Sequence, residues 1–206
     1  GIDTGERLQK LVEACLHVKG ISSDFTFKEC LDRFGKSLRV VVTDLNDAVS
    51  KTFCPILTPE YRIADAVRAS MSYPYYFQPF ICPQTGHYLS DGGVISNYPL
   101  FVLPREEHLR TLSILIRTSV EKDDNLMNLG IEELISRPIK IVLTERTNIE
   151  SRFYDSKCIQ IKLGNLNILE FSFDEETKNF IIERGKQSVR EYFKNFPKIK
   201  RRYSVS

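Results

Sequence analysis

The sequence contains no apolar run approaching the ~20 residues with which a helix crosses a bilayer, and no leader peptide is visible at its start. It has no C-x-x-C pair. The five cysteines (Cys15, Cys30, Cys54, Cys82 and Cys158) are scattered and odd in number, a pattern that disfavours a disulfide framework or a zinc site and fits reduced thiols. An excess of charge of either sign is also missing. Twenty-nine Lys and Arg stand against 27 Asp and Glu, a formal net charge of +2, which argues against nucleic-acid binding driven by bulk charge. The three histidines (His17, His87 and His108) show no H-x-x-x-H spacing and read as core or surface residues, not metal ligands. Internal repeats and low-complexity linkers are absent. So is an initiating Met: the chain opens on Gly1, in what reads as the interior of a helical protein.

What is present is ordinary for a globular chain. Its 206 residues, 42% hydrophobic and 27% charged, suffice for one domain with a sizeable core. Leu8, Leu11, Val12, Cys15 and Leu16 share one helical face, predicting a first helix over residues 5–16. Thr26-Phe27-Lys28-Glu29 has the form of a capping box, and Gly35 suits the end of the helix that it starts. The β-branched run from Leu38 to Thr43 predicts a strand covered on both faces. Lys51 to Cys54 predicts a short partner strand, and Ile63 to Ser72 a helix that stops before Pro74. Phe80–Cys82 and His87–Ser90 read as extended pieces around the turn at 83–86. Further on, Leu112–Ile116 and Cys158–Leu163 predict strands. Leu126–Leu143 predicts a helix kinked or broken at Pro138, and Asp174–Phe193 a long closing helix. Strands alternating with helices favour an α/β class with a largely parallel sheet.

Three stretches, in order, resemble the patatin-like phospholipase family. They are Val41-Val42-Thr43-Asp44-Leu45-Asn46, Ala64-Asp65-Ala66-Val67-Arg68-Ala69-Ser70-Met71-Ser72-Tyr73-Pro74, and Ser90-Asp91-Gly92-Gly93-Val94-Ile95-Ser96-Asn97-Tyr98-Pro99-Leu100. The opening Gly1-Ile2-Asp3-Thr4-Gly5-Glu6-Arg7-Leu8 and the late Phe173-Asp174-Glu175-Glu176 are similar to family segments too. The resemblance implies a three-layer α/β/α sandwich whose N-terminal strands are missing. Residues 1–194 would form the C-terminal part of the hydrolase domain, and 195–206 a basic tail. It implies hydrolysis of lipid or phospholipid acyl esters, contact with a lipid surface, and no metal or organic cofactor. The oligomeric state is left unassigned. With the reduced thiols, the expectation is an intracellular protein, cytoplasmic or peripheral at a lipid surface.

The chemistry of acyl transfer needs a nucleophile, a base and donors aimed at the oxyanion. By resemblance the base is Asp91, acting directly on a serine without an intervening histidine. No G-x-S-x-G elbow occurs in these 206 residues. Ser37, in Gly35-Lys36-Ser37, lacks the second glycine and precedes its strand. The serine and the oxyanion loop are therefore expected outside this chain, and the chain alone is expected to be inactive, with a sheet edge and apolar surface exposed. Gly92 and Gly93 would give the loop positive φ and room for a neighbouring backbone. Asn97 would cap a helix starting near Pro99. The competing reading of Asp91 is a plain hairpin turn, since Asp-Gly is a strong turn dipeptide.

Asp44 reads as a turn residue bonding its own backbone, and Arg68 as a structural partner of some acidic residue. Ser70 and Ser72 read as packed helix positions. The aromatic run Tyr73 to Phe80 reads as core with the capacity to line an acyl pocket, and the tail cations Lys198 to Arg202 as a solvated end. Two other functions remain open: a non-catalytic patatin-like protein that binds lipid or protein, and an unrelated ligand-binding α/β domain.

Overall fold

The computed structural model describes residues 3–108, 110–119, 130–153, 157–164, 166 and 172–195. By its contacts the chain divides into two units, residues 1–104 and 105–206. The first runs α1 (Glu6–Val18), α2 (Phe27–Phe34), β1 (Val40–Asp44), β2 (Val49–Phe53), α3 (Ile63–Ser70), β3 (Phe80–Ile81) and β4 (Tyr88–Asp91). Its four strands form one sheet in the order β2-β1-β4-β3, antiparallel throughout.

The expectation of a largely parallel sheet fails here for a reason of chain length. Only residues 45–48 separate β1 from β2, whereas a parallel return takes a dozen residues or more. The valine run nevertheless occupies the central position it suggested. Val42, Thr43 and Asp44 are all buried, with strands on both sides.

The capping box of α2 forms in full. Glu29 N donates to Thr26 Oγ1 (3.2 Å) and Thr26 N to Glu29 Oε2 (2.8 Å). The core gathers Phe25, Phe27, Val42, Phe53, Tyr61, Ile63, Ala66, Ala69 and Leu89, with the Phe53 and Tyr61 rings stacked at 4.2 Å. Ala64, Ala66 and Ala69 of α3 are wholly buried. Small side chains let the helix lie close to the sheet, and the Ser70 hydroxyl donates to Val41 O (2.8 Å).

Two buried charges hold this unit together. Among the described residues no carboxylate hydrogen-bonds Arg68 of α3; carbonyls and a hydroxyl receive it instead. Its Nε donates to Gly5 O (2.9 Å), Nη2 to Thr4 O (2.7 Å) and Gln78 O (3.4 Å), and Nη1 to Ser72 Oγ (2.5 Å). Burial works against its charge, and the charge of Asp3 supports it. A Cβ on Gly5 would overlap the guanidinium, and Gly5 sits at φ +75, so only glycine fits there.

Asp44, at the end of β1, behaves as a turn carboxylate and does more besides. Its Oδ1 accepts from the backbone N–H of Asn46 (2.9 Å) and Asp47 (3.0 Å), while Oδ2 meets Lys51 Nζ (2.5 Å) and His87 Nδ1 (2.9 Å). Burial pushes its carboxyl up. Lys51, the Asp47 N–H, His87 and the Asn46 N–H more than offset that, and hold it well below the usual carboxylate range.

The second unit contains α4 (Arg105–His108), β5 (Leu112–Arg117), α5 (Ile131–Phe153), β6 (Lys157–Lys162) and α6 (Glu175–Asn195). β5 and β6 are parallel, paired from Leu112↔Lys157 to Arg117↔Lys162, with α5 as the crossover between them. Arg117 reaches α5 on one face, donating to Asn148 and Ser151. On the other face Gly185 of α6 comes within contact distance of Ile161, and Arg184 donates to Lys162 O (3.3 Å). Helix, strand pair and helix thus make three layers inside this unit. α5 runs through Pro138 without breaking and continues to Phe153. The beginning of the helix expected from Leu126, and the basic tail beyond Asn195, lie outside the described residues. No described helix is long and apolar enough to cross a membrane.

Two stability measurements test the buried charges. Arg68→Lys should lower unfolding free energy by about 2–4 kcal/mol in a urea titration, because an ammonium cannot replace four hydrogen bonds spread across a planar fork. A loss below about 0.5 kcal/mol would show that the guanidinium geometry is dispensable. Asp44→Asn should cost about 1–3 kcal/mol at neutral pH. Because the folded carboxyl lies below its ordinary value of 3.8, its contribution is present above that pH and is lost as pH falls through the folded value. The gap between variant and wild type should therefore close in strong acid; a gap independent of pH would remove Asp44's charge from the account.

Candidate active site around Asp91

Asp91 is the last residue of β4. Gly92–Val94 forms a turn of 3-10 helix directly after it. Three contacts fix its backbone, one from the turn after α3 and two from β1: Asp91 N donates to Ser72 O (3.0 Å), Asp91 O accepts from Thr43 Oγ1 (2.9 Å), and the residue sits in register with Val42. The neighbouring Ser90 hydroxyl also donates to Ser72 O (2.8 Å). Of the carboxylate oxygens, Oδ1 accepts from Gly93 N (2.7 Å), and Oδ2 has no hydrogen bond among the described residues. The side chain is half-buried. Burial pushes its carboxyl up and the Gly93 N–H pulls it down, with a net rise.

Gly92 is required by space, and neither glycine by positive φ, which neither has. A Cβ on Gly92 would run into the Val41 carbonyl, and one on Gly93 into the Asn97 amide oxygen. The close backbone approach is therefore present, and the expected left-handed conformation is not. Asn97 does not act as a helix cap. The turn over Leu100–Val102 is 3-10, begins at Pro99, and has no side-chain cap; Asn97 is exposed, with its amide oxygen over Gly93.

A cavity of about 390 Å³ opens beside the loop, lined by Arg39, Val40, Val41, Ser70, Gly92, Gly93, Ser96, Asn97 and Pro99. The structure thus brings Gly92, Gly93 and Asn97 to one opening next to Asp91. It also brings Arg39, which sequence reasoning passed over, to that opening. Arg39 contributes a cation and braces the loop, its guanidinium donating to Val102 O. Tyr73 has its hydroxyl pushed up by burial and by the charge of Asp91. The position of Arg39 just before β1 was a usable signal, since β1 pairs with the strand that ends in Asp91. Tyr73 opens the aromatic run that the sequence marked, but nothing local marked its coupling to Asp91. Asp44 and His87 pair with each other at the opposite end of the β1–β4 register from Asp91.

Residues 1–104 match the family model Patatin, described as "Patatin-like phospholipase". The chain belongs to this family. Among its relatives, the uncharacterized protein R571 of Acanthamoeba polyphaga mimivirus is 27% identical over 199 residues, covering 93% of this chain and 64% of that protein. The probable lipid hydrolase 463L of Invertebrate iridescent virus 6 is 29% identical over 100 residues, 48% of this chain and 34% of that protein. YqhO of Bacillus subtilis, also described as uncharacterized, is 25% identical over 208 residues, 95% of this chain and 68% of that one. The chain thus spans less than two thirds of the length of either viral relative. Among solved structures, VipD from Legionella pneumophila superposes with a TM-score of 0.57 at 19% identity, covering 85% of this chain and 36% of VipD, a likeness of fold. The patatin-like α/β class read from the sequence is therefore the class of the folded chain.

Asp91→Asn gives the electrostatic test of this geometry. A carboxyl raised in the folded state favours folding only while protonated, and its effect turns unfavourable as pH rises through the folded value. The amide keeps an acceptor for Gly93 N and carries no charge. The variant should melt higher than wild type at pH 7 and level with it in acid. A lower Tm at pH 7 would mean that the site tolerates the carboxylate better than its burial implies.

Proposed function

We propose that the complete protein hydrolyses acyl esters of lipids, with Asp91 as the general base of a Ser-Asp dyad whose serine and oxyanion donors lie N-terminal to the residues described. In this reading the two units are parts of one hydrolase domain that extends to residue 194, with a basic tail beyond it. The protein works inside the cell, in the cytoplasm or at a lipid surface, on lipid or phospholipid substrates. The observation that carries the reading is Oδ2 of Asp91, which has no hydrogen bond among the described residues. A half-buried carboxylate held by its backbone on three sides, with one oxygen engaged and one open, is a suitable acceptor for a serine proton.

The chemistry follows from that oxygen. Asp91 takes the serine proton as the serine oxygen attacks the ester carbonyl carbon, and returns it to the departing alcohol. Water then attacks the acyl-serine, losing its proton to the same carboxylate, and the serine is released with the fatty acid. The raised proton affinity of Asp91 makes it a stronger base than an exposed aspartate. The close approach of Gly92 to the Val41 carbonyl holds the turn after Asp91 against β1.

Support comes from the family match over residues 1–104 and from the viral relative described as a probable lipid hydrolase. In the complete protein, Asp91→Asn should reduce turnover of a phospholipid or p-nitrophenyl ester by about a hundredfold or more and leave the circular dichroism spectrum unchanged. Full activity in that variant would sink the assignment. Vesicle binding with no ester hydrolysis in the wild type would favour a non-catalytic lipid-binding relative.

A further inference from the structure

The second unit holds a cavity of about 470 Å³ at the C-terminal ends of its parallel strands. Crevices in that position are where open α/β sheets seat ligands, and the volume falls in the roughly 300–1,000 Å³ range of small-molecule pockets. Arg117 and Lys162 are register partners at the ends of β5 and β6, so their side chains rise from the same face. Hydrogen bonding continues past the strands, from Leu163 N to Arg117 O (2.9 Å) and from Ser119 N to Gly164 O (2.7 Å), which fixes the rim. α5 closes the other side with Glu145 and Asn148.

The charge pattern of this cavity is specific. Arg117 is half-buried, and each group it meets is neutral: Asn148 Oδ1, Ser151 Oγ (3.2 Å) and Gln160 Oε1 (3.2 Å). Among the described residues, no carboxylate pairs with Arg117 or with Lys162. Two cations thus stand side by side, one of them oriented by three acceptors, and no anion among the described residues answers them. A planar guanidinium held in this way is preorganised for phosphoryl oxygens. The carboxylate in the lining, Glu145, accepts from Asn148 Nδ2 (3.1 Å); it would repel a bare anion placed against it and accept hydrogen bonds from alcohols.

We propose that this cavity binds a small phosphorylated polyol, its phosphoryl group on Arg117 and Lys162 and its hydroxyls against Glu145 and Asn148. The same chemistry is offered by a free polyol phosphate and by a phospholipid headgroup. The site does not depend on the role assigned to Asp91.

Isothermal titration of the 206-residue chain with glycerol 3-phosphate should give saturable binding at millimolar concentration or below, and glycerol should give none. Lys162→Gln, at an exposed position that leaves α5 undisturbed, should weaken binding roughly tenfold to a hundredfold, as expected for one charge-assisted hydrogen bond. Glu145→Gln should weaken glycerol 3-phosphate and leave inorganic phosphate unchanged or tighter. Sedimentation with phosphatidylinositol-containing vesicles separates the two sources. Capture that glycerol 3-phosphate reverses and Lys162→Gln abolishes assigns the site to a headgroup; soluble binding without capture assigns it to a free metabolite. No saturation of either probe, or wild-type affinity in Lys162→Gln, overturns the proposal.

Discussion

The first unit depends on one buried guanidinium. Arg68 stands on a helix whose neighbouring alanines bring it against the sheet, and among the described residues it has no counter-ion within hydrogen-bonding reach. Its charge is tolerated because carbonyls from residues 4, 5 and 78 and the Ser72 hydroxyl take up its donors. A buried cation without such partners would cost several kcal/mol. The chain has therefore been shaped to deliver those carbonyls, with a left-handed glycine at residue 5 and a tight turn after α3. Ser72, which receives Arg68 through its hydroxyl, gives its own carbonyl to Asp91 N and to the Ser90 hydroxyl. One residue thus connects the cation to the candidate base.

That connection explains why the loop after β4 is crowded. Asp91 is held from β1, from the turn after α3 and by its own following turn, and the space that remains leaves no room for a β-carbon at residue 92. Rigidity and accessibility are reconciled by dividing them between atoms. Backbone and Oδ1 are committed to structure, and Oδ2 is left to chemistry. Positioning of this kind, from regular elements and not from a mobile loop, is what a base needs when it must meet its nucleophile directly.

Much of this was legible in the sequence because it is local. Thr26 and Glu29 announce their capping box by spacing, and the valines of β1 announce a buried strand. The motif around Asp91 announces a candidate base. What was illegible depends on partners distant in sequence. The direction of the four-stranded sheet follows from the short connection between β1 and β2, which a class-level pattern of alternating strands and helices overlooks. Arg68 suggested a carboxylate partner because charges usually find charges; its carbonyl partners lie 63 and 64 residues away or past a turn. Asn97 resembled a cap only while a regular helix was expected at Pro99. His87 looked isolated because Asp44, its partner, is 43 residues away. Pro138 promised a kink or a break, and the second unit carries its helix through without the break.

The order in which Arg68 meets its partners bears on how the chain is synthesised. Residues 4 and 5 leave the ribosome long before α3, and the strand that presents Asp91 leaves later still. The N-terminal carbonyls can be docked only once a cation some sixty residues downstream has been added to the chain. A chain that ends within α3 holds neither the full set of donors nor the candidate base. The contacts that position Asp91 thus need residues from both ends of the first unit.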